Sequence, residues 1–372
     1  MERRPDRRIQ GSYEDLLEKA RQARAAGRAD IAVWMYSRIV DRISSVLPDM
    51  GVRDEQLLDH LITAADELQA VLEWMGDHAY ALSICEQMSD LDPDDPLLWK
   101  RRAATERIHL GDVEGGLVEL RILAEEHPMD FWHPLELAAR LLELGRLDEA
   151  QEALEEASRR ASRGEERGLL HWTRFRVLKE QGRLQEAADA WEEACRHDPF
   201  YEYMAQWVYR MFIVAGDYAS ALSYLNRERN PLMAGYYRGL IAHYQGREDR
   251  AKRAWRRVIR ERPEEYQVGR EAWAMAQIRL GNLDAALDLL ASLTRQGYAT
   301  DRIYAAAGLV WAIQGSLGGA MANLDLALRT HRQAFGPRAL LPMDLWMEFD
   351  DLVPNEDIKG ELRRYFVSAA SD

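Results

Sequence analysis

A glycine returns along this chain at nearly constant spacing. Gly27, Gly76, Gly111, Gly145, Gly182, Gly216, Gly246, Gly281 and Gly315 are separated by 49, 35, 34, 37, 34, 30, 35 and 34 residues. A period in the range of about 20 to 50 residues confines a chain to repeat architectures, because each short unit can bury its apolar face only against its neighbours. Positions not used to find the period obey it too. Five residues after each glycine stands Ala32, Ala81, Gly116, Ala150, Ala187, Ala221, Ala251, Ala286 or Ala320. Nine after stands Tyr36, Cys85, Leu120, Leu154, Trp191, Leu225, Trp255, Leu290 or Leu324, all apolar, and twelve after only Glu228 breaks an apolar or small column.

Each column has a cause. Glycine just past a helix takes the left-handed conformation that ends it, and Asp77, Asp112 and Asp217 immediately follow as caps for the next helix. A small residue at the fifth position lets two helix backbones approach, while the fifth, ninth and twelfth positions share one helical face. Pro93, Pro128, Pro199 and Pro263, each 17 residues after its glycine, close the second helix of a pair. The pattern predicts an all-α chain of antiparallel helical hairpins. In the first copy the wide gap predicts a long second helix through Ile39, Ile43 and Val46, broken at Pro48 to Gly51.

Gly-x(4)-Ala-x(3)-aromatic or Leu-x(2)-Ala-x(4)-Pro at this period resembles the tetratricopeptide repeat, most clearly from Gly182 through Ala187, Trp191 and Ala194 to Pro199. The small residue that family favours in the first helix recurs as Ala20, Ala104, Ala138, Gly239, Ala274 and Gly308, with Phe175 and Tyr209 as departures. The resemblance implies a right-handed superhelical solenoid of about nine hairpins over residues 12–335. A flexible basic N-terminus, 1–11, is expected before it, and a helical tail, 336–372, after it. The tail is expected to cap the last hairpin with Trp346, Phe349, Leu362 and Phe366, or alternatively to dock on a partner or second subunit.

Composition narrows the function. At 47% hydrophobic and 30% charged, with mean hydropathy −0.44, the chain is expected to fold in water, and no apolar run approaches the roughly 20 residues of a membrane span. A net charge of −14 disfavours nucleic acid as partner. Without a secretory pattern at the N-terminus, a cytoplasmic location is expected, and Cys85 and Cys195 read as ordinary buried thiols. No catalytic constellation is evident and no cofactor is expected. His127 and His133, near Glu125 and Glu126, flank a loop without metal-ligand spacing, and Asp92-Pro93-Asp94-Asp95 reads as a turn. Neither an enzyme nor a metal site is expected.

What remains is a surface. In the resembled family, the second, fifth, ninth and twelfth positions of the first helix line a concave groove. By register these include Trp132 and Leu135; Trp172, Arg176 and Lys179; Tyr203, Gln206, Arg210 and Ile213; Met233, Tyr236, Leu240 and His243. An aromatic and basic lining in an acidic protein suits an extended or helical peptide with acidic and apolar side chains. The family's carboxylate clamp is not matched, since its positions hold Arg101, Thr105, Leu135 and Ala139. The expected function is a protein-interaction scaffold or adaptor. The alternatives are a self-associating structural protein, with homo-oligomers, or an accessory subunit of an enzyme or regulatory complex.

Overall fold

The structure is a computed structural model that describes residues 7–47, 54–261, 269–336 and 339–367, with side chains described from residue 13 onward. The described residues contain 20 α-helices and no strand. They form two compact units, Met1–Arg140 and Leu141–Asp372. The first holds α1 (Arg7–Ala25), α2 (Ala29–Ser44), α3 (Glu55–Met75), α4 (His78–Leu91), α5 (Pro96–His109), α6 (Val113–Glu126) and the start of α7 (Trp132–Glu143). The second continues with α8 (Leu147–Arg160), α9 (Gly164–Glu180), α10 (Leu184–His197), α11 (Ala205–Val214), α12 (Tyr218–Leu225), α13 (Pro231–Tyr244) and α14 (Glu248–Val258). It ends with α15 (Arg270–Arg279), α16 (Leu283–Arg295), α17 (Asp301–Ile313), α18 (Leu317–Phe335), α19 (Met343–Leu352) and α20 (Glu356–Leu362), the last followed by a 3₁₀ turn, Arg363–Tyr365.

All nine periodic glycines have positive φ, between 71° and 99°, as a left-handed helix end requires. Asp77, Asp112 and Asp217 then accept the backbone N–H of Tyr80, Gly115 and Ser220 at 3.2, 3.2 and 3.1 Å. The fifth-position and ninth-position columns are buried throughout. Gly116 shows why this column stays small: a Cβ there would lie 2.4 Å from the carbonyl oxygen of Ala104 on α5. The Asp92–Asp95 segment is a turn. Asp92 accepts from the N–H groups of Asp94 and Asp95 and from the Trp99 indole (2.9 Å), while Asp95 caps α5.

Departures from the pattern have local causes. The helix α12 stops at Leu225, so Glu228 is not on a helix; it accepts from the Tyr209 hydroxyl (3.1 Å) and the Asn230 N–H (2.8 Å). The two residues that break their columns, Tyr209 and Glu228, are thus partners. The long helix of the first gap is α3 rather than α2, which ends at Ser44 with Ser45 at its C-cap. The expected break at Pro48 to Gly51, Pro263, and most of the N-terminal segment 1–11 lie outside the described residues. Cys85 is buried and Cys195 half-buried; burial pushes their thiols up to about 12 and about 11. Among the described residues, no helix is long and apolar enough to cross a membrane.

Candidate functional site: an inner face covered by an acidic helix

In the second unit, α19 lies against α11 and α17 and reaches α13 and α15 through side-chain contacts. Its sequence explains the placement. Asp344, Glu348 and Asp351 recur at helical spacing on one side, and Leu345 and Phe349 form the adjoining apolar stripe, both buried in the unit's core.

The carboxylates meet basic or hydroxyl groups carried by α11, α13, α15 and α17. Asp344 sits between two arginines: Arg302 of α17, with Nη2 2.9 Å from both carboxylate oxygens, and Arg210 of α11, with Nε at 3.8 Å. The Tyr237 hydroxyl of α13 lies 3.5 Å from the same carboxylate, and Arg210 stacks over the Tyr237 ring. Glu348 accepts from the Tyr236 hydroxyl and pairs with Arg279 of α15, Nη2 to Oε2 2.5 Å. Asp351 pairs with Arg279 and with His243 Nε2, the latter at 2.9 Å. Tyr244 adds a hydrogen bond to the Met347 carbonyl at 3.3 Å.

Burial alone would push Asp344 up, but Arg302 and Arg210 outweigh it and hold the carboxyl below the ordinary range. Burial wins at Glu348, which is raised despite Arg279. A 20 Å³ cavity, lined among others by Met233, Tyr236, Met275, Leu345 and Glu348, remains between α19 and the helices beneath it.

Several of the groove residues expected from the sequence lie beneath α19 or are buried beside it. Arg210, 8% exposed, and Met233, Tyr236 and Leu240 are buried, and Ile213 is fully buried. His243 is half-buried, held by Asp351 and Glu248. The basic and aromatic character is present, but the chain's own tail covers it. Trp172 is half-buried, stacked on Phe175 (5.0 Å) and Tyr201 (5.8 Å). Arg176 and Gln206 are half-buried. Lys179 pairs with Glu180 at 2.7 Å and lies over the Trp207 ring. Tyr203, 64% exposed, stands on a 3₁₀ turn, Pro199–Met204, with Phe200 and Arg229 beside it. Trp132 belongs to the first unit, 45% exposed under Arg101, and Leu135 is buried there.

Arg279 and Arg302 were missed because the groove register was carried only as far as the seventh copy. The signal that points to them is the tail's own stripe, Asp344, Glu348 and Asp351, which is opposite in charge to first-helix arginines in the same chain.

Residues 233–264, which span α13 from Met233 onward and all of α14, match the profile of the tetratricopeptide repeat. The chain contains a tetratricopeptide repeat there. The repeat is in general a protein-interaction module. No curated protein sequence matches the chain. Among solved structures, a tetratricopeptide repeat protein from Parabacteroides merdae is similar at 14% identity and TM-score 0.39, over 72% of this chain and 99% of that one. The human IFIT1 dimer with PPP-AAAA is similar at 15% identity and TM-score 0.41, over 87% and 88%. The anaphase-promoting-complex hetero-tetramer Cut9-Hcn1 is similar at 15% identity and TM-score 0.36, over 92% and 75%.

Proposed function

We propose that this protein is a non-catalytic interaction scaffold whose recognition surface is the inner face of α11, α13, α15 and α17, and that its partner presents an acidic amphipathic helix. What carries the reading is the convergence of Arg210, Arg302 and Arg279, from three different first helices, on the carboxylates of one helix. Arginines are rarely buried without a partner, and charge pairs of this kind fix register and orientation as much as they add affinity. A surface that holds α19 in cis has the chemistry to hold a similar helix in trans, and the partner then exchanges with the tail.

The test uses a fluorescent peptide with the sequence of residues 342–353, titrated into the full chain and into Asp344→Lys/Glu348→Lys, in which α19 is repelled from the face. The peptide binds the variant at least tenfold tighter than the parent, and a further Arg279→Glu change abolishes binding. Absence of binding to a variant that keeps its helical circular-dichroism spectrum overturns the reading.

A further inference from the structure

A second cluster of chemistry-bearing side chains lies in the first unit, away from the α19 face. Glu106 and His109 stand one turn apart on α5, and His78 opens α4 beside them. Glu106 is fully buried and accepts from Gln69 Nε2 at 3.0 Å, with His78 Nδ1 at 2.8 Å. The His78 and His109 rings are 4.5 Å apart between centroids. One donor atom from each of the three residues lies within 4.8 Å of the other two.

The arrangement differs from an ordinary buried ion pair in two ways. The arginines on α5 are engaged elsewhere, Arg101 over the Trp132 ring, Arg102 with Asp66 at 2.6 Å and Arg107 with Glu86 at 2.9 Å, so imidazoles rather than guanidinium groups meet the buried carboxylate. His109 Nδ1 is buried and has no hydrogen-bond partner; the Glu106 oxygen it faces is 3.8 Å away, beyond hydrogen-bond reach. His109 Nδ1 thus stands beside a carboxylate and a second imidazole, the donor types that a divalent ion of the zinc class takes.

We propose that His78, Glu106 and His109 bind a divalent ion of the zinc class, and that Glu73 supplies the fourth donor. Two imidazoles with carboxylates are a donor set for Zn²⁺ and Co²⁺, at metal–ligand distances of about 2.0 to 2.2 Å. Gln69 supports the set from behind, because the Nε2 that donates to Glu106 also donates to Glu73, at 2.6 Å. The ion joins α3, which carries Glu73, to α4 and α5, and so ties one hairpin to the next. Arg140 works against it: its Nη1 lies 3.4 Å from His109 Nε2, and on metal binding it releases that nitrogen while keeping Glu136 at 3.1 Å.

The test is a Co²⁺ titration of the untagged, chelator-stripped full chain, followed through the d–d absorption that reports a tetrahedral site, with Zn²⁺ as the displacing ion. The parent binds one ion, Zn²⁺ raises its Tm, and His78→Gln/His109→Gln loses both effects. No Co²⁺ band in the parent, or an undiminished band in the double variant, overturns the proposal. If the double variant does not fold, Arg140→Gln decides: its Co²⁺ affinity rises about tenfold over the parent, and an unchanged affinity overturns the site.

Discussion

Arg302 of α17 holds Asp344 of α19 with one guanidinium nitrogen 2.9 Å from both carboxylate oxygens, and Arg210 approaches the same carboxylate from α11. Two like charges thus depend on one buried acid. Replacing it leaves both arginines uncompensated, so Asp344→Ala costs about 3 to 5 kcal/mol, the usual cost of removing one member of a buried pair. Chemical denaturation measures the loss, and hydrogen exchange localises it to residues 343–352. Adding Arg302→Met recovers part of the cost. If the single and double variants are equally destabilised, the pair does not anchor the tail.

The hairpin array was legible because its signals are local. A left-handed glycine, a capping aspartate and a small fifth residue each report on a few neighbouring residues, and every such glycine and cap found in the sequence is present in the structure. The chemistry of the candidate face was legible as well, through Arg210, Tyr236 and His243. What covers it was not, because the pairing of Asp344 with Arg302 or Glu348 with Arg279 joins residues 42 and 69 positions apart, a separation that repeat periodicity does not encode. The cluster of His78 with Glu106 and His109 was missed for a related reason: its residues come from consecutive hairpins and share no short motif.

Gly116 and Gly360 predict opposite outcomes for the same substitution. A helical Gly→Ala change gains about 0.8 to 1 kcal/mol of intrinsic propensity. At Gly360, exposed in α20 with nothing within 4 Å of the added Cβ, that gain is realised and Gly360→Ala stabilises. At Gly116 the Cβ meets the Ala104 carbonyl at 2.4 Å, a backbone atom that can yield only if α5 and α6 separate. The overpacking cost of about 1 to 3 kcal/mol exceeds the gain, so Gly116→Ala destabilises. Thermal melts of the two variants should move in opposite directions.

Tyr209 and Glu228 break the repeat pattern together, and their hydrogen bond at 3.1 Å makes a double-mutant cycle informative. Burial holds the Tyr209 hydroxyl well above its ordinary pKa, so it remains a donor at neutral pH. Tyr209→Phe removes the donor and costs about 1.5 kcal/mol, the range for a hydrogen bond to a charged acceptor. After Glu228→Gln the same change costs about half as much. Equal costs in both backgrounds would mean that the two departures are independent.

Glu73 and Glu106 divide the pH dependence of the first unit between them. Burial, and then the hydrogen bond with Glu106, hold the Glu73 carboxyl up at about 7, against an ordinary 4.5. Burial also pushes Glu106 up, but the neighbouring imidazoles and Gln69 outweigh it and hold it at about 2. For Glu73 the folded pKa exceeds the unfolded one, so its contribution to stability is fully present below pH 4.5 and is lost as the pH rises to about 7. For Glu106 the sign is reversed: its contribution is present above pH 4.5 and lost as the pH falls toward 2. The His78 imidazole, raised chiefly by its hydrogen bond to Glu106, adds a loss above pH 6.5. Glu73→Gln fixes the protonated form, so it removes the fall in Tm between pH 4.5 and 7 and leaves the acid limb unchanged. Melting in the presence of chelator, with hydrogen exchange of α3 as the local readout, checks the assignment, and an alkaline slope equal to that of the parent would place the titrating group elsewhere.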